Sequence, residues 1–461
     1  MFRKPRHIHF VGIGGIGMSG IAEVLLNLGH RVTGSDLRES DTTRRLAALG
    51  AGVAVGHRAE NAAGADVVVV SSAVAPDNPE VEAARREFIP VIPRAEMLAE
   101  LMRLKYSVAV AGSHGKTTTT SLVGTIMGEA GLDPTLVIGG KLDIIGSNAR
   151  LGSGDFLVAE ADESDGSFLL LSPTIAVVTN IDLEHLDYYR DLDHIKAAFL
   201  TFINRVPFYG AAVICLADPN VQSLIPEIKK RYVTYGFSPQ ADIRAVNLKE
   251  TGWGLGYDLL VKGESRGRIE LNLPGLHNAL NSLAAVGAAL ELEVPFEAVV
   301  KGLARMTGVQ RRLQRKGEAG GVTVIDDYGH HPTEIKATLT ALRSCYPGRR
   351  LVVLFQPHRF SRTRALFADF TTAFNQADAL VLTEIYPAGE KPLPGVTGRT
   401  LAEAVREHGH HETMYEPDLG HLAARAAEMA RPGDVVLTLG AGSINTVGES
   451  LLEILKGGTG S

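Results

Sequence analysis

Cysteine is scarce in this sequence. Among 461 residues only Cys215 and Cys345 occur, far apart and in no spacing typical of metal ligands. We therefore expect neither a disulfide framework nor a zinc site. So few thiols fit the reducing environment of the cytoplasm, which is where we expect the protein to work.

Long apolar runs are also missing. The first residues, MFRKPRHIHFVGIGG, break into glycines before the apolar core of a signal peptide could form, and no later run predicts a membrane span. The net charge of −6 gives no general attraction to nucleic acid or anionic lipid. We expect neither as a partner, so any phosphate binding must come from local sites.

The chain is too long for one hydrophobic core, and its strand and helix patterns repeat in three units. An apolar run from His7 to Val11 leads through glycines into helical spacing, and a second run begins at Tyr106. The segment VTVID starts a third unit of alternating strands and helices. These patterns predict an α/β protein of three domains, covering residues 1–105, 106–307 and 308–461.

A glycine-rich segment follows the strand that ends at Ala111. In such a loop the backbone N–H groups surround a phosphate, and the dipole of the following helix favours its charge. Lys116 would neutralise the outer phosphates, and the Thr117 hydroxyl would contact Mg²⁺. Val110 replaces the first glycine of the general pattern, so this is a variant of the ATPase P-loop. The predicted contacts are Gly112, Ser113, His114, Gly115, Lys116, Thr117 and Thr118.

A magnesium ion bound at this loop also needs an anionic ligand at the end of a neighbouring strand. Glu160, which ends the strand FLVAE, is the candidate, with Glu163 and Asp162 as close competitors by spacing. His185 lies after a further strand and is an additional candidate, although imidazole is a softer ligand than Mg²⁺ prefers.

The first unit carries a second glycine motif. The sequence GIGGIG, with Gly12, Gly14, Gly15 and Gly17, lies between a strand and a helix, and Asp36 ends the next strand. This pattern is typical of a Rossmann-like domain that binds a pyrophosphate and a ribose, and a UDP-sugar satisfies it as well as a dinucleotide does. The alternative is a glycine turn with a purely structural role.

An ATP loop beside a second nucleotide site suggests a ligase. A carboxylate is a poor electrophile, but as an acyl phosphate it can be attacked by an amine.

Two rival interpretations remain. A nicotinamide dehydrogenase would leave Lys116 without a role, and a non-catalytic ATP-binding switch would leave the histidines and arginines of the third unit without a role.

The chain resembles the Mur ligase family over nearly its whole length. The segments that carry the resemblance are HFVGIGGIGMSGIA, GSHGKTTTT, AEADESD, TNIDLEHLD, LPGLHNALN, VIDDYGHHPTE, FQPHRFSRTR and IYPAGE. The first and the last three of these segments resemble the family member that joins alanine to UDP-N-acetylmuramate in peptidoglycan synthesis. The nearest alternative is the relative that recycles a preformed tripeptide onto the same acceptor.

The resemblance implies a Rossmann-like first domain, a central ATPase domain and a Rossmann-like third domain, acting as a monomer or weak homodimer with ATP and Mg²⁺ as cofactors. It implies ATP contacts at Lys116, Asn278, Asn281, Arg312 and Asp327, and magnesium ligands at Glu160 and His185 in addition to Thr117 of the loop, thereby favouring Glu160 over Glu163. Catalytic roles fall to Lys116, His330 and Arg312. The L-alanine pocket is expected at Tyr328, His330, His358, Arg359 and Arg362, and the UDP end at Asp36, His57 and Ser71.

Two positions depart from the family pattern. Glu184 stands where the family usually has aspartate, and Leu313 where it usually has phenylalanine. The first change could alter the geometry around the metal, and the second the packing that holds Arg312.

Overall fold

The computed structural model describes residues 5–71, 73–142 and 147–457, which form three sheets flanked by helices. The first sheet has five parallel strands in the order β3-β2-β1-β4-β5. Its strands are β1 (His7–Val11), β2 (Arg31–Asp36), β3 (Gly52–Val55), β4 (Val67–Val70) and β5 (Val91–Pro93). The helices of this part are α1 (Ile16–Asn27), α2 (Asp41–Ala48), α3 (Pro79–Arg86) and α4 (Arg94–Met102).

The second sheet has ten strands in the order β15-β14-β13-β12-β11-β10-β6-β9-β7-β8. These strands are β6 (Tyr106–Ala111), β7 (Thr135–Leu142), β8 (Ser147–Arg150), β9 (Phe156–Glu160), β10 (Ile175–Val178), β11 (Ala211–Cys215), β12 (Tyr232–Gly236), β13 (Ile243–Thr251), β14 (Gly254–Val261) and β15 (Glu264–Leu271). Its helices are α5 (Lys116–Glu129), α6 (Leu192–Ile203), α7 (Pro219–Leu224), α8 (Leu276–Glu291) and α9 (Phe296–Arg305).

The third sheet has six strands in the order β16-β17-β21-β18-β19-β20, and only β16 is antiparallel to its neighbour. These strands are β16 (Gln314–Ala319), β17 (Val322–Asp327), β18 (Leu351–Phe355), β19 (Ala379–Leu382), β20 (Thr413–Tyr415) and β21 (Val435–Leu439). Its helices are α10 (Pro332–Cys345), α11 (Phe360–Ala365), α12 (Phe367–Thr371), α13 (Gly398–Glu407), α14 (Leu419–Met429) and α15 (Asn445–Gly457).

The central strands are buried on both faces, which explains their continuous apolar runs. In β10 and β18 every residue is buried, in the sequences IAVV and LVVLF. These strands were recognisable in the sequence, and the predicted α/β fold class is confirmed. No helix in the described part of the chain is long and apolar enough to cross a membrane.

An antiparallel extension of the second sheet was not anticipated from the sequence. Strands β13, β14 and β15 pair through two tight turns, with Gly252 and Gly263 in the left-handed region at φ of 59° and 84°. Much of β15 is exposed, so its residues lack the apolar run that marks a buried parallel strand. The extension brings Trp253, in the β13–β14 turn, to the C-terminal part, where its ring lies 5.9 Å from that of Tyr346.

Parallel strands direct their carboxyl ends to one edge of a sheet, where open α/β folds bind ligands. In the second sheet, β6 lies between β9 and β10. The loops that follow these three strands therefore meet. They carry the glycine-rich segment 112–118, called the phosphate loop below, and the segments AEADESD and TNIDLEHLD with the predicted metal ligands.

Candidate functional site

The phosphate loop connects β6 to α5 through two glycines that lie in the left-handed region. Gly112 has φ of 141° and Gly115 has φ of 83°. A methyl group on Gly112 would collide with the Thr179 hydroxyl, and one on Gly115 with the side-chain amide of Asn281. Glycine is thus required both by the backbone and by close packing against neighbouring polar groups.

Lys116 is the first residue of α5, and its ammonium group is held inside the loop. Its Nζ donates to the Gly112 carbonyl at 2.6 Å and to Oε1 of Glu163 at 2.8 Å. Burial disfavours the charge, but the carboxylates of Glu163 and Asp162 outweigh burial, and the pKa of Lys116 is raised. The lysine is therefore charged before any phosphate arrives.

Glu163, Glu184 and His185 form a cluster whose ligand atoms lie within 4.8 Å of one another. Oε2 of Glu163 is buried and has no hydrogen-bond partner, an arrangement that costs free energy unless a cation is bound. Carboxylate oxygens suit Mg²⁺, so these residues fit the ion implied by the sequence.

Glu160 ends β9 opposite Val110, next to the strand that carries the phosphate loop. Burial opposes the charge of Arg312, but nearby carboxylates, Glu160 among them, outweigh burial and raise the pKa of Arg312. His185 is 3.5 Å from Glu163 through its Nε2. The competitor Glu163 therefore lies in the same cluster as His185, while Glu160 lies close enough to Arg312 to affect its charge.

A cavity of about 530 Å³ opens beside the phosphate loop, between the second and third sheets. Asn278 and Asn281 project from α8 into it, and Asn281 donates to Oδ1 of Asn278 at 3.1 Å. The predicted ATP contacts that line this cavity are His114, Gly115, Thr117, Thr118, Asn278, Asn281, Arg312 and Asp327. The structure thus brings together residues separated by about 200 positions in the sequence.

Asp327 ends β17 at the wall of this cavity. Its carboxylate accepts hydrogen bonds from the backbone N–H of Leu313 at 2.7 Å and of Gly329 at 2.8 Å. Burial raises the pKa of Asp327 to about 6, against the charge of Arg312 and these hydrogen bonds, which lower it. The hydrogen bond from the Leu313 backbone N–H connects Asp327 to the turn that carries Arg312. Because the backbone makes this bond, it does not depend on whether leucine or phenylalanine stands at position 313.

Glu334 contacts residues from the second and third sheets, and it was not predicted from the sequence as a site residue. Its carboxylate lies 3.4 Å from Nδ1 of His114 and 3.5 Å from the Arg312 guanidinium, and it accepts from the His330 backbone N–H at 2.9 Å. Burial opposes the charge of His114, but hydrogen bonds to Asp182 and Glu334 outweigh it and raise the pKa of His114 to about 10. The spacing of His331 and Glu334 at the start of α10 is that of a capping box, the one feature of the sequence that points to Glu334.

The residues predicted to bind the amino acid gather beyond β17 and β18. The His330 ring lies 5.5 Å from that of Tyr328 and 5.6 Å from that of His358. Tyr386, from the quoted segment IYPAGE, stacks on His358 at 5.6 Å. Burial lowers the pKa of His330 to about 4 and that of His358 to about 3. Both imidazoles are neutral at physiological pH.

The two arginines predicted to bind the amino acid, Arg359 and Arg362, contact different partners. Arg362 donates to the His358 carbonyl at 3.2 Å and lies 3.5 Å from Glu184, with 10% of its side chain exposed. Arg359 is 34% exposed and pairs with Asp187 at 3.1 Å. A small cavity of about 30 Å³ lies between the two arginines and the 183–187 segment. Arg362 is thus the more buried of the two cations and the one beside the cluster of Glu163, Glu184 and His185.

The glycine motif of the first sheet forms a tight turn after β1. Gly12 has φ of 82°, and the Gly14 N–H donates to Oδ2 of Asp36 at 2.9 Å. A Cβ on Gly14 would lie 2.8 Å from that oxygen, and one on Gly12 would lie 3.4 Å from Cβ of Ser71. Gly15 follows as the N-cap residue of α1. The motif, Asp36 and Ser71 therefore lie together.

Two further side chains complete this end of the site. His57 follows β3, and its Nδ1 is hydrogen-bonded to Ser35 at 2.8 Å. Arg94 packs against Gly17, where an added Cβ would lie 3.1 Å from its Cδ, and its guanidinium is 3.4 Å from Asp162. Arg94 thus connects the glycine motif to the AEADESD segment, and no sequence feature distinguished it from other arginines.

Three family models match the chain in succession. The Mur ligase family catalytic domain matches residues 7–106, the Mur ligase middle domain 110–289, and the Mur ligase glutamate ligase domain 311–442. Together they cover most of the sequence, in the order of the three sheets.

Full-length relatives are similar as well. The chain is 60% identical to UDP-N-acetylmuramate–L-alanine ligase of Syntrophobacter fumaroxidans, covering all of this chain and 98% of that protein. It is 59% identical to the enzyme of the same name from Geobacter sulfurreducens, over 99% of each chain.

Solved structures give the same result. UDP-N-acetylmuramate–alanine ligase MurC of Thermotoga maritima superposes with a TM-score of 0.83 at 29% identity, covering 98% of this chain and all of that one. A murein peptide ligase of Psychrobacter arcticus shares the fold, with a TM-score of 0.70 at 23% identity over 98% of this chain and 99% of that one. With the phosphate loop, the cavity beside it and three consecutive domain matches in agreement, the chain belongs to the Mur ligase family.

Proposed function

We propose that the protein joins L-alanine to the lactyl carboxylate of UDP-N-acetylmuramate, with ATP converted to ADP and phosphate through an acyl phosphate of the acceptor. The observation that carries this proposal is the full-length identity of about 60% to ligases of that name. The geometry supports it, because a phosphate loop, a second nucleotide motif and a cluster of histidines and arginines each lie at the edge of a different sheet.

The proposal assigns three domains, with boundaries near residues 105 and 307. In the middle domain the cavity beside α5 takes ATP. Lys116 neutralises the outer phosphates, and Asn278, Asn281 and Asp327 surround the remainder of the nucleotide. Arg312, which enters the cavity from the third domain, adds a second positive charge where negative charge develops during phosphoryl transfer.

A magnesium ion would be held by Thr117, Glu160 and His185, with Glu163 as the competing carboxylate. When bound, the ion would offset phosphate charge and orient the transferred group. The unpartnered oxygen of Glu163 supports a cation at this place whichever carboxylate binds it directly.

The first domain takes the UDP end. Gly12, Gly14, Gly15 and Gly17 would surround the pyrophosphate, with Asp36, His57 and Ser71 around the nucleoside. Arg94 supplies a positive charge beside Gly17, on the side that faces the middle domain. A sugar nucleotide bound here would direct its carboxylate towards the phosphate loop.

The amino acid is assigned to Tyr328, His330, His358, Arg359 and Arg362. The carboxylate of alanine needs a cation, and a guanidinium binds it with two directed hydrogen bonds. His330 and His358 are neutral, so they add no further positive charge beside the arginines, and their ring nitrogens can receive an amine proton. The cavity of about 30 Å³ beside the arginines favours a small side chain.

The test is a substrate panel. The protein is incubated with UDP-N-acetylmuramate, MgATP and single amino acids, or with the cell-wall tripeptide, and phosphate release and product mass are measured. We expect release with L-alanine and a product heavier by one alanyl residue. Phosphate release with the tripeptide but with no single amino acid would instead identify a recycling ligase. If none of the amines causes phosphate release, both ligase functions are ruled out.

The proposal places the reaction in the cytoplasm with small-molecule substrates only. Cys215 and Cys345 are both free thiols, as a reducing compartment allows. The oligomeric state, expected to be a monomer or weak homodimer, can be measured by sedimentation.

A further inference from the structure

Glu80 is a fully buried carboxylate in the first domain to which the proposed function assigns no role. One oxygen, Oε2, accepts from the Ser35 hydroxyl at 2.5 Å and from His9 Nε2 at 3.3 Å. The other, Oε1, accepts from the Arg58 backbone N–H at 3.1 Å and from the Asn61 amide at 2.5 Å. A carboxylate with no exposed surface is kept ionised only when it is surrounded by donors in this way.

The donors outweigh the cost of burial. Burial alone would raise the pKa of Glu80, but hydrogen bonds from His9, Ser35 and Asn61 lower the pKa to about 2. Glu80 is therefore an acceptor only, with no proton to donate. Each of its four partners must supply the hydrogen.

This requirement determines the protonation of His57. Ser35 gives its one hydroxyl proton to Glu80, so the same oxygen can only accept from Nδ1 of His57, 2.8 Å away. Nδ1 of His57 thus carries a proton. In a neutral imidazole the other nitrogen, Nε2, is then bare and acts as a hydrogen-bond acceptor.

The same residues connect His57 to the glycine motif. The Ser35 carbonyl accepts from the backbone N–H of Gly12 at 2.9 Å and of Ile13 at 3.0 Å, while its hydroxyl holds the His57 ring. The His57 side chain is 15% exposed, so ligand can reach it. Oε1 of Glu80 meanwhile fixes the loop after β3 through Arg58 and Asn61, and Asn61 also donates to the Gly56 carbonyl at 3.1 Å.

We propose that Glu80 is a positioning residue that makes His57 a hydrogen-bond acceptor, and that this acceptor selects uracil over cytosine at the nucleoside end of the site. Uracil carries a hydrogen on N3, whereas cytosine has a lone pair there. An acceptor nitrogen pairs with the first and repels the second. The inference rests on the proposed function, since it takes the UDP end of the acceptor to bind here.

Binding of uridine diphosphate and cytidine diphosphate to the full chain tests this selection by calorimetry. Wild-type protein should prefer the uridine compound by on the order of tenfold or more, the ratio expected from one hydrogen bond and one avoided repulsion. In Glu80→Gln the amide can also donate, so Ser35 no longer fixes the tautomer, and the preference should fall several-fold. Glu23→Gln is the matched control, because Glu23 pairs with Arg45 in the same domain, and it should keep the full preference.

A second variant guards against misfolding of Glu80→Gln. Ser35→Ala removes the connection between Glu80 and His57 but leaves the carboxylate with its other three donors, and it too should lose preference. Nitrogen NMR of the wild-type protein without nucleotide should show a protonated Nδ1 and a bare Nε2 on His57.

Three results would overturn the proposal. They are a protonated Nε2 on neutral His57, a uridine preference unchanged in both folded variants, and equal binding of the two nucleotides by wild type. If wild type binds uridine diphosphate selectively but performs no alanine ligation, the proposed function fails and the selection by His57 stands. If ligation proceeds and the preference is unchanged in both variants, only the selection fails.

Discussion

The ammonium group of Lys116 lies 2.8 Å from the carboxylate of Glu163, so the phosphate loop holds its cation in an ion pair. Side-chain exposures of 17% for Lys116 and 2% for Glu163 show that this pair is largely shielded from water. In the proposed function, phosphate oxygens of ATP replace Glu163 around the lysine. The released carboxylate is then available to a cation that enters with the nucleotide.

Replacing Lys116 with Met should abolish ligation and leave the fold intact. The neutral side chain cannot offset phosphate charge, and loss of such a group depresses turnover by a factor on the order of 100 to 1,000 or more. Phosphate release measures turnover, and binding of UDP-N-acetylmuramate should be unchanged. Lys301→Met, an exposed lysine on α9, is the control and should behave as wild type. Near-normal turnover in Lys116→Met would remove the loop from the reaction.

A pair of variants separates the two carboxylates of the metal segment. Glu160→Ala should raise the magnesium concentration needed for half-maximal activity and lower the rate by about two orders of magnitude, because a charge-stabilising ligand is lost. Glu163→Ala, which leaves Lys116 without its partner, should mainly change the KM for ATP. Magnesium titrations of both variants measure the difference. The reverse pattern would assign the ligand to Glu163.

The sequence predicts this site unevenly. Each buried parallel strand is an apolar run that ends in glycine or polar residues, so the phosphate loop and the first glycine motif follow from local pattern alone. Asp182 and Arg94 do not, and the local pattern at Glu334 indicates only a helix cap, because each of these residues acquires its partners in the site only when distant loops meet. Glu80 is similar, since its hydrogen bonds to Ser35 and Asn61 span 45 and 19 residues.

Trp253 should report nucleotide binding. It is the only tryptophan of the chain, it lines the cavity beside the phosphate loop, and it lies against Tyr346 of the third domain. A non-hydrolysable ATP analogue should therefore change its emission, and Trp253→Phe should lose the signal while it keeps activity. An emission unaffected by saturating analogue would place the nucleotide elsewhere.

With UDP-N-acetylmuramate also present, small-angle scattering should show compaction as the three domains close.

Asp327 should give ATP binding an acid limit. In the proposed ATP site, Asp327 accepts hydrogen bonds from the ribose hydroxyls. Because burial raises the pKa of Asp327 to about 6, the carboxylate takes up a proton as pH falls through 6 and becomes a weaker acceptor. The KM for ATP should rise below pH 6 in wild type. In Asp327→Asn the KM should be raised at every pH and no longer rise across this range. A rise equal to that of wild type would assign the limit to another group.

The contribution of Asp327 to the stability of the fold should change with pH in the opposite direction to its contribution to ATP binding. Between the unfolded pKa of about 4 and the folded value of about 6, the folded protein binds a proton that the unfolded chain does not. This group's contribution to the free energy of unfolding is therefore present below pH 4 and lost as pH rises through 6. Thermal melting of wild type and Asp327→Asn between pH 4 and pH 7 should show the difference.

Arg362 and Arg359 should differ in their effect on the amino acid. Arg362 is the more buried and lies beside His358 and Glu184, whereas Arg359 is one-third exposed and pairs with Asp187. Arg362→Ala should raise the KM for alanine strongly, by about tenfold or more, and leave the KM values for ATP and UDP-N-acetylmuramate nearly unchanged, since the proposed contact is with alanine alone. Arg359→Ala should have a smaller effect, and Arg364→Ala, on the same helix, serves as the surface control. Steady-state kinetics with each substrate varied in turn measures all three. An alanine KM unchanged in both Arg362→Ala and Arg359→Ala would place the carboxylate of the amino acid on another cation.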